Sequence, residues 1–120
     1  MSWNLDSDRP IFLQIMEHIQ SDIVSGTLPP GSKVPSVREL ASEAAVNPNT
    51  MQRALAELER MGLMRTERTS GRFITEDSER ISGLKQDMAN TEAASFLKRM
   101  QQLGLGVDEI MDLIKSNANA

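Results

Sequence analysis

Two stretches hold the side chains best equipped to do chemistry. Arg38 stands in Pro35-Ser36-Val37-Arg38-Glu39-Leu40-Ala41, and Asn47, Asn49, Thr50, Gln52 and Arg53 crowd the run Asn47-Pro48-Asn49-Thr50-Met51-Gln52-Arg53. None is a nucleophile set beside a base. Amides, a hydroxyl and guanidinium forks instead offer directional hydrogen bonds: a guanidinium fits the guanine edge, a carboxamide the adenine edge, and either can take a phosphate. Between residues 60 and 72 the charges are Arg60, Arg65, Arg68 and Arg72 against Glu67 alone. Such a set suits recognition of a polyanion, with double-stranded DNA as the partner.

Other chemistries find no residues to carry them. His18 is the single histidine, with no cysteine or carboxylate partner read at ligand spacing, so no metal site is expected. Asp6 and Asp8 are close in sequence but read as solvated acids in an exposed N-terminal segment. There is no phosphate-binding glycine loop and no Ser/His/Asp set. With no cysteine, thiolate and disulfide chemistry is excluded. No cofactor and no enzymatic activity are expected, and the eight methionines read as core filler.

The elements that position the polar residues follow from periodicity. Ile11, Ile15, Ile19 and Ile23 recur at helical spacing, giving a helix over 10–25 with Pro10 at its first position and Gly26 at its stop. Pro29-Pro30-Gly31 then forces a turn. Ser36 and Glu39 make a capping-box pattern for a second helix that turns Val37, Leu40, Ala41 and Ala44 inward. Asn47 caps a third helix with Pro48 at its first position; Met51, Ala54, Leu55 and Leu58 share one side, opposite Asn49, Gln52 and Arg53. Residues 63–68 and 72–75 flank Thr69-Ser70-Gly71 as a β-hairpin that carries Met64 and either Phe73 or Ile74 towards the helices. Helical pattern resumes near Glu79, stops at Gly104, and restarts at Asp108 and Glu109, where acids favour a helix start. The last residues, 116–120, read as frayed.

Composition sets the outer limits. A chain of 120 residues with 39% apolar content supports one domain and an appendage, placed here at 1–76 and 77–120. The net charge of −4 opposes a uniformly positive coat, yet residues 1–75 hold 8 basic and 9 acidic groups while 76–120 hold 5 and 8. The field near a groove depends on the charges facing it, so a local basic edge remains compatible with binding phosphate. No apolar run approaches a membrane span, and no signal peptide is read, so a cytoplasmic protein without membrane contact is expected.

At Gly26-Thr27-Leu28-Pro29-Pro30-Gly31-Ser32-Lys33-Val34-Pro35-Ser36-Val37-Arg38-Glu39-Leu40-Ala41 the chain resembles the GntR-type winged helix-turn-helix signature. The resemblance continues through Val46-Asn47-Pro48-Asn49-Thr50-Met51 and Ala54-Leu55 to Gly62-Leu63 and Gly71-Arg72-Phe73-Ile74, covering roughly residues 8–75. The remainder, with Leu103-Gly104-Leu105-Gly106 between helices, is similar to the short YtrA-type branch, which lacks a large ligand-binding domain. Likeness to that branch implies ABC-transporter operons among the targets. The resemblance also implies that Arg38 contacts a base or the backbone, and that Arg68, Ser70, Gly71 and Arg72 form a wing against the minor groove or backbone. This chain departs from the family pattern at Thr69, where glycine is common, at Arg72, where a small hydroxyl residue is common, and at Pro48 and Gln52, where many members carry arginine. Base preference therefore does not transfer.

The expected fold is mainly α with a small β-hairpin: a winged helix-turn-helix domain with a C-terminal two-helix extension. Lys33, Ser36, Arg38, Asn47, Asn49, Thr50, Gln52, Arg53, Arg68, Ser70, Gly71 and Arg72 are the candidate DNA contacts, with Lys33 equally readable as a loop lysine and Asn47 partly as a cap. One recognition helix reads only a few base pairs, so a homodimer on a palindromic operator is expected, acting as a repressor. Ile81, Leu84, Met88, Phe96, Leu97, Met100, Leu103, Ile110, Met111 and Ile114 supply the candidate dimer face. Two other readings stay open: a regulator holding a small-molecule effector between the tail and the core, and a winged-helix module that binds protein instead of DNA.

Overall fold

The computed structural model describes residues 3–120. Among them the order is α1 (Ile11–Ser25), α2 (Val37–Ala44), α3 (Pro48–Arg60), β1 (Met64–Glu67), β2 (Gly71–Ile74), α4 (Ser78–Gln102) and α5 (Val107–Ala118). The chain divides into two compact units, one ending at Leu84 and the other beginning at Lys85.

In the first unit, α1 buries Ile15, Ile19 and Ile23 against a core completed by Leu40, Met51, Leu55, Leu58, Leu63 and Ile74. Pro10 is the N-cap and not the first helical residue: its ψ of 125° is extended, so the helix begins at Ile11. Gly26 stops α1 in the left-handed region. Helix α2 has eight residues, too few to stand alone. Its start is held by the expected reciprocal pair, Glu39 N–H donating to Ser36 Oγ at 3.2 Å and Ser36 N–H donating to Glu39 Oε1 at 3.4 Å. Ser36→Ala should therefore lower unfolding free energy by about 0.5–2 kcal/mol, read by urea titration, and leave α3 intact.

The turn after α2 falls on Ala45 with φ 56°, a left-handed residue where glycine would be unstrained. Its geometry is kept by Val46 N–H donating to the Ala41 carbonyl at 3.0 Å. Helix α3 starts as expected, with Asn47 Oδ1 accepting from the Asn49 amide at 2.8 Å and Pro48 in the first turn. Met51, Ala54, Leu55 and Leu58 are fully buried beneath it.

The hairpin pairs Met64 with Ile74 and Glu67 with Gly71. Met64 and Ile74 enter the core; Phe73 turns to the other face, where the Arg65 guanidinium lies 5.1 Å from its ring centroid. Gly71 begins β2 (φ 105°) instead of closing the turn. Residues 31–34, marked in the sequence only by their turn residues, run along the free edge of β2. Val34 N–H donates to the Arg72 carbonyl and Ile74 N–H to the Ser32 carbonyl, both at 2.9 Å. Lys33 is thereby fixed beside the hairpin.

Helix α4 starts at Ser78 because Asp77 Oδ1 accepts from the amides of Glu79 and Arg80, each at 3.1 Å. Its first turns belong to the first unit, with Ile81 and Leu84 packed on the core. The compact boundary thus lies eight residues beyond the 76/77 division drawn from sequence, since the helix continues an existing packing surface before leaving it.

The second unit consists of the rest of α4 and of α5, joined by a turn at residues 103–106. None of the 25 residues of α4 is buried; Met88, Phe96 and Met100 are half-buried. In α5 only Ile110 is buried, while Val107, Met111, Leu113 and Ile114 stay between 41% and 52% exposed and Leu103 is 75% exposed. The Glu109 carboxylate accepts from the Gly106 amide at 3.1 Å, which caps α5 from one side. Ser116 does not mark the fraying point: α5 runs to Ala118, with Asn117 Nδ2 donating to the Leu113 carbonyl. No helix among the described residues is long and apolar enough to cross a membrane.

Candidate nucleic-acid interface

The fold brings Lys33, Ser36, Ser70, Gly71 and Arg72 to one groove of about 780 Å³, between the start of α2 and the hairpin. Thr66, Thr69 and Glu39 also line it. Asn47 and Thr50 line a second groove, of about 510 Å³, with Leu5, Asp6, Ser7 and Ile11 opposite. Asn49, Gln52 and Arg53 are exposed on α3, Arg38 is exposed in the first turn of α2, and Arg68 is exposed at the hairpin tip. At the head of α3 the aligned peptide dipoles add a partial positive charge that favours phosphate, although Asn47 already occupies the amides of Asn49 and Thr50.

The cations differ in their commitments. Among the described residues, no carboxylate lies within ion-pair distance of Lys33, Arg38, Arg53 or Arg68. Arg72 is held instead: its Nε lies 3.4 Å from Glu59 Oε1 at the end of α3, with only 19% of its side chain exposed. Thr66, directly opposite Arg72 across the hairpin, donates its hydroxyl to the same Glu59 oxygen. Glu59 therefore fastens the hairpin to α3 from both strands.

Arg60 and Arg65 also pair, with Glu57 and Glu67. The hydrogen bond from Arg60 holds the Glu57 carboxyl below its usual range, and Glu57 in turn raises the Arg60 guanidinium. Arg60 is exposed and Glu57 half-buried at the surface, so the effect of the pair is to cancel charge locally. The basic edge from 60 to 72 thus reduces to Arg68 at its tip, because Glu67 takes Arg65 while Glu57 and Glu59, just before that stretch, reach forward to Arg60 and Arg72.

Three contributors were missed in the sequence. The Glu57–Arg60 pair has helix spacing and was legible. The reach of Glu59 to residues 66 and 72 leaves no local signal. Phe12 lies under Arg53, whose guanidinium carbon is 4.9 Å from the ring centroid, a contact joining α1 to α3. His18 is corrected as well. Asp22, four residues on, places Oδ2 3.4 Å from His18 Nε2, and the Trp3 ring stacks on the imidazole at 3.9 Å. This set lies beside the N-terminal segment, where the buried Gln14 amide accepts from Asp6 N–H at 2.6 Å and donates to the carbonyls of Asp6 and Arg9. Among the described residues no group of three or more His, Cys, Asp or Glu is placed to hold a metal ion.

The sequence of residues 12–74, which spans the three-helix core, the hairpin on its flank and the polar α3 head, matches the family described as bacterial regulatory proteins, gntR family. The chain belongs to the GntR family. As a GntR protein it is a DNA-binding transcriptional regulator with a winged helix-turn-helix domain, and its relatives are regulators rather than enzymes. The HTH-type transcriptional regulator YhcF of Bacillus subtilis is 41% identical over 116 residues, 97% of this chain and 96% of its own. The transcriptional repressor YtrA of Bacillus subtilis is 33% identical over 111 residues, 91% of this chain and 85% of its own. A GntR family regulator from Listeria monocytogenes has a solved structure that covers 93% of this chain and 98% of its own, at 41% identity and a TM-score of 0.87. The short second unit is thus shared with these full-length relatives.

Proposed function

We propose that this GntR-family protein is a cytoplasmic repressor that binds a palindromic operator as a homodimer. The observation that carries the reading is the exposed α3 head, Asn49 and Gln52, flanked by the uncommitted guanidiniums of Arg38 and Arg68. Asn49 and Gln52 reach base edges; Arg38, Lys33 and Arg68 hold the strands on either side. Asn47 and Thr50 contribute mainly through the helix start, and Ser36, Ser70 and Gly71 shape the groove. Arg72 positions the wing through Glu59. Repression is supported by likeness to the repressor YtrA.

Dimerisation is supported by the apolar side chains left uncovered on α4 and α5. Leu97, Leu103, Met111 and Ile114 form the exposed part of this face, joined by Val107 and Leu113. Met88, Phe96 and Met100 are its half-buried part. Ile81 and Leu84 stand apart from it, since they pack on their own protomer's core, and Ile110 is already buried.

Selection of bound fragments from the source organism's genomic DNA, followed by sequencing, tests the reading. The expected product is a set of inverted repeats. On the selected duplex, Gln52→Ala should cost about 1–3 kcal/mol of binding free energy and relax sequence preference, whereas Arg38→Ala should weaken selected and scrambled duplexes alike. Fragments without two-fold symmetry would contradict the dimer reading.

A further inference from the structure

Arg53 stands beside the residues proposed to read bases, but its head group does not stand free. Its guanidinium carbon lies 4.9 Å from the centre of the Phe12 ring, within cation–π range, although Arg53 itself is exposed and has no carboxylate partner among the described residues. Phe12 is half-buried and packs on the core cluster, so the ring is a fixed platform. From the geometry we infer that Phe12 is a positioning residue that draws Arg53 off the reading crest of α3 towards α1, where its guanidinium takes a DNA phosphate and not a base edge. The inference rests on the DNA-binding reading and assigns one side chain within it.

The physical reason is the shape of the guanidinium. A ring occupies its face and leaves the planar N–H edge open, which suits the two oxygens of a phosphate. A base reader must extend into the groove along the outward direction of α3, as Asn49 and Gln52 do. A head group held over a side chain of another helix stays to one side of that direction, nearer a strand than the base pairs. The stacking also removes rotamer freedom that a free arginine would lose on binding, so the contact is prepared before DNA arrives.

The test compares the full-length wild type with Arg53→Ala, Phe12→Leu, Phe12→Tyr and the double variant Phe12→Leu/Arg53→Ala. Each is titrated by fluorescence anisotropy against the selected duplex and a scrambled duplex across a salt series, with circular dichroism to follow folding. Arg53→Ala should weaken both duplexes by the same factor and make the salt slope shallower by about two, one for each protomer of the bound dimer. Phe12→Leu should shift affinity the same way without changing sequence preference. Phe12→Tyr keeps an aromatic face and should restore it, and the double variant should be no worse than Arg53→Ala. Loss confined to the selected duplex for Arg53→Ala would make Arg53 a base reader and overturn the proposal. So would additive losses in the double variant, or Phe12→Leu binding like wild type. If Phe12→Leu fails to fold, Phe12→Tyr and Arg53→Ala decide: the tyrosine variant must match wild type, and a weaker one contradicts the platform. Failure of wild type to bind either duplex would sink the DNA-binding reading itself, a result distinct from all of these.

Discussion

Met111→Glu combined with Ile114→Glu is expected to turn the protein into a folded monomer and to weaken its hold on a two-half-site duplex by about 10²- to 10⁴-fold. The second half of a dimer binds at the effective concentration set by the first, and that advantage disappears when the halves separate. Both side chains are about half exposed (50% and 49%) on α5, whose buried residue is Ile110, so added carboxylates meet solvent in the monomer and an apolar partner in the dimer. Charges forced into such an interface must be desolvated without a partner. Sedimentation analysis should show half the wild-type mass with an unchanged helical spectrum, and affinity for a single half-site should stay near that of wild type. A dimer that persists would move the interface elsewhere.

Leu55→Ala should cost about 2–5 kcal/mol of unfolding free energy, the range for an aliphatic side chain removed from a filled core. Leu55 is fully buried in α3, within the cluster formed by α1, α2 and the hairpin. The loss is large beside the 5–15 kcal/mol that a small domain commands, and urea unfolding of the variant measures it. It also separates two causes of failed DNA binding. Leu55→Ala loses binding in step with folding, whereas Arg38→Ala loses binding while its melting curve holds.

The legible parts of this chain are those whose cause lies within a few residues. Ser36 and Glu39 announce their own cap, Asn47-Pro48 starts α3, and the fourfold spacing of Ile15, Ile19 and Ile23 marks the buried stripe of α1. The winged-helix family was visible for the same reason, because its signature is a run of turn and cap residues around fixed apolar positions. What stayed hidden depends on contacts across the fold. Nothing near Glu59 tells of Thr66 and Arg72 converging on it, so Arg72 looked like a free wing cation when it is a tether. The sequence placed Arg53 on the polar face of α3 but gave no sign of the Phe12 ring 4.9 Å beneath its guanidinium. Phe73 and Ile74 could not be told apart until the register paired Ile74 with Met64. His18 and Asp22 are different: their i,i+4 spacing is a local signal that the sequence itself carries.

A chain of net charge −4 nonetheless presents Lys33, Arg38, Arg53 and Arg68 without carboxylate partners among the described residues, a locally positive surface suited to DNA. A fluorescence-anisotropy titration of the wild-type protein with a duplex drawn from the genomic selection, repeated from low to physiological salt, checks whether that surface binds DNA. The logarithm of the binding constant should fall linearly with the logarithm of salt concentration, steeply enough to count several phosphate contacts in the complex. Binding that is absent at low salt, or that ignores salt, would contradict the DNA-binding reading.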